Sequence, residues 1–305
     1  FFLANMDKNV IVLLSTYNGE KFLREQLDSI LSQSYPPSQI IIRDDGSTDS
    51  TISILDEYTK RHKTISYYVG ANIKPAFSFL DLLKKSPNAD FYAFSDQDDV
   101  WLSNKLEVAI NSLLYNDGDL YHSAFQMVDS ELNYIETPPK PNVNTLGEAL
   151  VLIPATGCTM MISKKMRDYA NLYNPQYIIM HDYWLLKLAY ALECKVIYDE
   201  CPHILYRQHG NNVLGGVHKS DFELWKGRFF SFFHPERERW NELCELYNGY
   251  HKLFSTQSKT TICPIVGYLN ESIYGRIKIA FNRSYRSISS EKNLLFKIAI
   301  VTKRY

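Results

Sequence analysis

The chain has 305 residues, 45% of them hydrophobic, and a formal net charge of −1. That is apolar material enough for one large core, and the near-neutral balance argues against a polyanion binder, nucleic acid included. No apolar run reaches the roughly 18 residues that span a bilayer, and five cysteines without C-x-x-C spacing match neither a zinc site nor a disulfide framework, so a reducing compartment is expected.

Residues 10–14 form a continuous apolar run, the pattern of a parallel strand buried on both faces. A polar loop, 15–19, follows, and Leu23, Leu27, Ile30 and Leu31 then recur at helical spacing. Ile40, Ile41 and Ile42 predict a second buried strand. Residues 44–49 are turn formers, with Ser47 or Thr48 placed to cap a helix that carries Ile52, Leu55 and Tyr58. Residues 65–69 predict a third strand, and Phe77, Leu80 and Leu83 a helix after Pro75. Residues 91–94 predict a fourth strand running into Ser95, Asp96, Gln97, Asp98 and Asp99, and Leu106, Ile110, Leu113 and Leu114 mark the next helix.

Strands that alternate with helices across short loops imply an α/β fold with a mostly parallel, Rossmann-like sheet flanked by helices. Ligands of such sheets sit at the carboxyl ends of the strands. Polar clusters follow three of the strands, at 15–18, 44–49 and 95–99, so sequence-distant residues are expected to converge on one rim. After about residue 215 strand signals stop, and helical stretches are predicted at 224–233, 240–253, 273–281 and 294–301. The expected division is a main domain over 6–215 and a helical C-terminal region over 216–305.

Charge is uneven along the chain. From Leu246 to Tyr305 there are ten Lys and Arg against two Glu, a local net of +8. Arg276, Lys278, Arg283, Arg286 and Lys297 interleave there with Ile277, Ile279, Phe281, Leu294, Leu295 and Phe296. A basic amphipathic segment of this kind suits the surface of an anionic membrane. The same aromatic-rich helices could equally join two copies of the chain as a homodimer.

A strand that ends in clustered carboxylates needs something to neutralise them. Asp96, Asp98 and Asp99 offer oxygen ligands of the kind that Mg²⁺ or Mn²⁺ takes, and such a metal can bridge the phosphates of a nucleotide; the plainer alternative is acid favoured in a first helical turn. Asp44 and Asp45 could accept the imide N–H of uracil or thymine, or simply build a turn.

Taken together, Ser15-Thr16-Tyr17-Asn18, Asp44-Asp45-Gly46-Ser47 and Asp96-Gln97-Asp98-Asp99 resemble family 2 of the glycosyltransferases, with the GT-A fold, over roughly residues 8–215. The string from Ser95 to Trp101 and the string from Tyr206 to Asn212 are similar to its bacterial rhamnosyltransferase-like branch. The resemblance implies that Thr16 and Tyr17 flank the nucleotide base with Asn18 beside them, that Asp44 or Asp45 holds the base N3–H, and that Asp96 and Gln97 approach the donor. Asp98 and Asp96 would bind Mn²⁺ or Mg²⁺ with His209 as a further contact. Asn72 would lie near the donor, although Lys74 stands where family members often carry glycine. Gly157 and Cys158 would border the donor sugar and acceptor, with His181 and Trp184 on the acceptor side, and Asp182 would be the catalytic base, unless it merely caps its helix.

The implied reaction is inverting transfer of one sugar from a nucleotide-sugar donor, dTDP-L-rhamnose first and a UDP-hexose second, to a saccharide or lipid-linked saccharide acceptor in bacterial surface polysaccharide synthesis. The expected place is the cytoplasmic side, peripheral at the inner face of the cell membrane. Two rivals stand beside it. A sugar-nucleotide pyrophosphorylase would need a Gly-rich phosphate loop, and none occurs. A non-catalytic nucleotide-sugar-binding module would have no use for Asp96, Asp98 and Asp182 together.

Overall fold

The structure is a computed structural model that describes residues 7–141, 143–152, 156–209 and 237–305. The first half alternates as expected: β1 (Val10–Thr16), α1 (Leu23–Leu31), β2 (Gln39–Asp44), α2 (Thr51–Arg61), β3 (Ile65–Val69), α3 (Lys74–Lys85) and β4 (Phe91–Ser95). Next come β5 (Val100–Trp101), α4 (Lys105–Asn116), β6 (Leu120–Ser123), β7 (Gln126–Val128), β8 (Tyr134–Glu136), α5 (Leu146–Val151), β9 (Met161–Ser163), α6 (Lys164–Ala170), α7 (His181–Ala191), β10 (Val196–Asp199) and β11 (Ile204–Arg207). Four helices close the chain: α8 (Glu238–Tyr250), α9 (Thr256–Gly267), α10 (Ile273–Ala280) and α11 (Ser290–Val301). The stretch predicted at 224–233 and the expected boundary near 215 lie outside the described residues.

Seven strands form the main sheet in the order β10-β6-β9-β4-β1-β2-β3. β1 pairs in parallel with β2 and β4, β2 with β3, and β6 with β10; β9 alone runs antiparallel, between β4 and β6. The apolar run at 10–14 is central and covered on both faces, which is why it does not alternate with polar residues. Successive side chains still point to opposite sides. Ile11 and Leu13 enter one hydrophobic cluster, and Val10, Val12 and Leu14 the other. A smaller sheet, β5-β11-β7-β8, lies beside the acidic turn that follows β4. The sequence reading contained no sign of it, because its strands are two to four residues long.

One local expectation is corrected, and one departure from the family pattern is given a physical meaning. Helix α2 starts at Thr51, and neither Ser47 nor Thr48 caps it; Asp49 accepts from the Thr51 N–H at 3.0 Å instead. Lys74, at the position where a glycine was expected, has φ of 68°. That is the left-handed region glycine enters without steric cost, so the lysine bears a local strain that glycine would avoid.

The C-terminal helices share the core of the α7 face. Leu243, Leu246 and Tyr250 of α8, Ile262 and Ile265 of α9, and Phe296 and Ile300 of α11 join the cluster that contains Ile11, Phe94 and Trp184. The Tyr305 hydroxyl donates to the Leu150 carbonyl at 2.7 Å, returning the chain end to α5. Lys187 of α7 and Glu242 of α8 form a fully buried ion pair, and the second Glu242 oxygen accepts from the Ile179 N–H at 3.0 Å. Glu242→Ala would strand the Lys187 ammonium in the core and is expected to cost about 3–5 kcal/mol in chemical denaturation. Replacing both partners, Lys187→Met with Glu242→Leu, should recover most of that loss. Equal losses for the single and double variants would contradict the ion-pair account.

Candidate active site

The three polar clusters meet at the carboxyl edge of β1, β2 and β4. Thr16 ends β1, and its hydroxyl donates to Gln97 Oε1 at 2.6 Å; the Tyr17 N–H donates to the same oxygen at 2.8 Å, and Gln97 Nε2 returns a bond to the Tyr17 carbonyl at 3.2 Å. Asn18, with φ of 50°, turns the chain so that its Oδ1 accepts from the Thr48 N–H at 2.8 Å. Gly19 is required by this arrangement, since a Cβ there would stand 2.4 Å from Gln97 Oε1. Tyr17 is left about half exposed on the rim.

Asp44 and Asp45 do not offer the open carboxylate expected of them. Asp44 is fully buried and accepts from the Gly46 N–H at 2.9 Å, the Ser47 N–H at 2.8 Å and the Ser47 hydroxyl. Asp45, also buried, pairs with Arg43 Nε at 2.8 Å and accepts from the Ser78 hydroxyl. A carboxylate consumed by its own turn holds the loop in shape and leaves little for a ligand. Asn72 is exposed at the foot of α3 and accepts from the Lys74 N–H at 3.1 Å.

Asp96, Asp98 and Asp99 crowd the turn after β4. Burial first, then Asp98 and Asp182, push the Asp96 carboxyl up to about 7. Burial, then Asp98 and Asp96, raise Asp99 well above the usual carboxylate range. Beneath them Lys105 is almost fully buried, its Nζ 3.5 Å above the Trp101 ring centre, and burial lowers it to about 7. Arg207 arrives from β11: its N–H donates to Asp99 Oδ1 at 3.1 Å and its Nε to the Asp98 carbonyl at 2.8 Å. The guanidinium also reaches Glu25 and lies 4.4 Å over the Phe22 ring. Two residues on, His209 Nε2 sits 2.7 Å from Asp98 Oδ2, its ring stacked on Phe22. The structure therefore brings Asp98 and His209 together across 111 positions of sequence.

This donor set suits a hard divalent cation. Asp96 and Asp98 are half-buried oxygen donors, and Asp99 Oδ2 is buried without a hydrogen-bond partner among the described residues. Burial and then like charge raise two of these carboxyls, and a cation would relieve the repulsion. Asp96, Asp99 and Cys158 place ligand atoms within 4.8 Å of one another, but burial raises the Cys158 thiol well above its usual range, so it remains a neutral group under the turn. Cys158 is also closed to solvent, which corrects its expected place beside an acceptor.

The opposite wall is Asp182, in the first turn of α7. Its Oδ2 accepts from the Gly157 N–H at 2.9 Å and its Oδ1 from the Tyr183 N–H at 2.8 Å. It is not the N-cap residue, a position that Met180 holds, although it takes one first-turn N–H of the helix. The helix N-terminus favours the ionised form of this carboxylate, but burial outweighs the N–H bonds and raises it to about 7. His181 and Trp184 are corrected as acceptor contacts. The His181 ring is buried against Phe79 and Phe94, at 4.0 and 5.4 Å between centres, and burial lowers it to about 3, which keeps it neutral. Trp184 is fully buried, with Tyr250 as an aromatic neighbour at 6.1 Å, and has no face open to a sugar.

Lys105, Phe22 and Glu25 carry no motif or spacing that marks them, and Arg207 stands inside the string from Tyr206 to Asn212 without a role assigned to it. A basic residue two before His209 carries no local signal of burial, and neither does a lysine at a helix start.

Gly157 has a contact that can be tested. A Cβ there would stand 2.4 Å from His181 Nε2, and the imidazole is wedged between two phenyl rings. Gly157→Ala is expected to cost about 1–3 kcal/mol by thermal unfolding. Gly267→Ala, which meets nothing within 4 Å, should stay within about 0.5 kcal/mol. Equal effects would mean that the contact is relieved freely.

Comparison with known proteins agrees with this geometry. The family model described as "Glycosyl transferase family 2" matches residues 11–190. The dTDP-rhamnosyl transferase RfbG of Shigella flexneri is 32% identical over 226 residues, covering 66% of this chain and 73% of that enzyme. The chain spans only 19% of an uncharacterised glycosyltransferase of Rickettsia bellii, to which it is 32% identical over 131 residues, 43% of this chain. Among solved structures, S. aureus TarS 1–349 in complex with UDP superposes with a TM-score of 0.59 at 17% identity, over 97% of this chain and 82% of that one. The mannosyltransferase PcManGT of Pyrobaculum calidifontis, in complex with GDP-Man and Mn²⁺, gives 0.54 at 14% identity, over 98% and 88%. These two likenesses concern the fold, a mostly parallel GT-A sheet flanked by helices. With a family match over residues 11–190 and the three polar clusters joined at one rim, the chain belongs to glycosyltransferase family 2 and is a glycosyltransferase.

Proposed function

We propose that the enzyme transfers one sugar, with inversion, from a pyrimidine nucleotide sugar to a saccharide or lipid-linked saccharide in bacterial surface polysaccharide synthesis, with dTDP-L-rhamnose as donor. The kinship with a dTDP-rhamnosyl transferase over 66% of the chain carries the donor assignment. It supports thymine more than the buried Asp44 and Asp45 do. The base would lie against exposed Tyr17, on the loop that Gln97 fixes.

Asp182 is the proposed base. The acceptor hydroxyl oxygen bonds to the anomeric carbon while the bond from that carbon to the diphosphate oxygen breaks. The hydroxyl proton passes to Asp182, and the nucleoside diphosphate leaves with the electron pair. A carboxyl with its pKa near 7 takes a proton more readily than an ordinary one, and the Gly157 N–H aims it. Asp96, Asp98 and His209 would hold Mn²⁺ or Mg²⁺. The ion, when bound, neutralises charge on the leaving diphosphate. Arg207 keeps the turn that carries these ligands in shape.

The enzyme is further proposed to work at the cytoplasmic face of the membrane, in peripheral contact through its C-terminal helices. The net charge of +8 over residues 246–305 supports this. No helix among the described residues is long and apolar enough to cross a membrane.

Asp182→Asn should fold, bind donor nearly as wild type does, and transfer sugar on the order of 10²–10⁴ times more slowly. Because the folded carboxyl titrates near 7, wild-type turnover should fall about tenfold per pH unit below that value as the base takes up a proton. The Asn variant should lack this acid limb. A near wild-type rate for it would overturn the role of Asp182.

Removal of divalent cations by EDTA should abolish transfer, and Mn²⁺ or Mg²⁺ should restore it. Asp98→Ala should lose metal-dependent nucleotide binding. In a thermal-shift series, dTDP-rhamnose should stabilise the protein most. Stabilisation by GDP- or ADP-sugars alone would refute the pyrimidine assignment, and stabilisation by UDP-hexoses alone would replace rhamnose while keeping it.

A further inference from the structure

Helix α10 presents an unusual face. Ile273, Tyr274, Ile277 and Phe281 are all exposed, and their spacing puts them along one side of the helix and its end. This strip leads into a cavity of about 360 Å³ between the end of α10, the turn after it and α11. Buried Tyr285 lines the cavity, together with the exposed side chains of Phe281 and Leu294. Arg283, Arg286 and Lys297 also line it, and no acidic residue among the described residues does. Lys297 Nζ lies 4.6 Å over the Phe281 ring, so apolar surface and positive charge are in direct contact.

Apolar surface left open beside three cations has a defined complement. A neutral apolar partner would leave the cations unanswered, and a free anion would leave Phe281 and Leu294 in water. An amphiphile with a phosphate joined to hydrocarbon satisfies both. Anionic bilayers attract basic surface residues with about 1 kcal/mol each, and exposed aromatic and aliphatic side chains enter the boundary between headgroup and acyl chain.

We propose that the groove between α10 and α11 binds the phosphate headgroup of an anionic bilayer lipid through Arg283, Arg286 and Lys297, with the start of its acyl chain against Phe281 and Leu294. This rests on the peripheral-contact reading above and deepens it by naming the site. The strip of Ile273, Tyr274 and Ile277 then lies on the same membrane surface.

The test is co-sedimentation of the full chain with phosphatidylcholine vesicles, pure or containing phosphatidylglycerol. Wild type should bind only the anionic vesicles. Arg283→Glu with Arg286→Glu should weaken that binding at least about tenfold, with solution transfer activity unchanged as the control for folding. Lys252→Glu with Lys259→Glu makes the same change of net charge at exposed residues outside the groove, and should weaken binding much less. Phe281→Ser with Leu294→Ser should also release the protein, although every charge remains. Failure of wild type to bind anionic vesicles would overturn both the peripheral contact and the site. Equal weakening by the two charge pairs would overturn the site alone and leave diffuse attraction. If the groove variants instead changed self-association of the free chain, the groove would be an interface between two copies and the lipid site would be refuted.

Discussion

The gathering of like charge at the end of β4 governs much of what surrounds it. Asp96, Asp98 and Asp99 occupy one turn, and burial makes each charge costlier than it would be in water. The chain meets that cost with groups brought from elsewhere. Arg207 donates to Asp99 and to the Asp98 carbonyl, Lys105 lies beneath the turn on Trp101, and His209 closes on Asp98. The small second sheet gains a purpose in this light. β5 begins directly after the turn and pairs antiparallel with β11, so Trp101 faces Ile204 and Val100 faces Leu205. That pairing fixes β11, and β11 delivers Arg207 and His209 to the acids.

The opposite wall is held from behind. Asp182 and Gly157 can meet only because glycine leaves room for the His181 ring, and His181 packs on Phe79 and Phe94 from the central layers. Helix α7 is in turn backed by α8 through Trp184, Tyr250 and the buried pair of Lys187 and Glu242. The C-terminal helices thus support the wall that carries the proposed base, while the far side of α10 and α11 stays free for a surface contact. One helical layer can meet both demands because its two faces differ in chemistry: Phe296 and Ile300 point inward, and Phe281, Leu294, Arg283 and Arg286 outward.

Much of this was legible in the amino-acid order, because the relevant signals are local. Five buried apolar residues in a row at 10–14 determine a covered parallel strand, the helical spacing of Leu23, Leu27 and Ile30 determines the crossover that follows, and a polar loop after such a strand must fall at the sheet's carboxyl edge. Thr16, Asn18, Gln97 and the acidic turn therefore fall on one rim by the order of residues alone. Burial, partnership and direction were decided only by the tertiary structure, because they depend on what other segments bring to the same place. Asp44 closes its own turn through Gly46 and Ser47, a local reading. Nothing near Asp45, however, says that Ser78, 33 positions on, takes up its carboxylate, and Trp184 reads alike whether it faces a sugar or Tyr250. Arg207 is a basic residue in a short strand until β5 pairs with β11 and Phe22, Glu25 and Asp99 close around it. The charge state of Asp182 follows the same rule: its helix position favours the ionised form, but desolvation by the packed neighbours is the larger effect, and only folding supplies those neighbours.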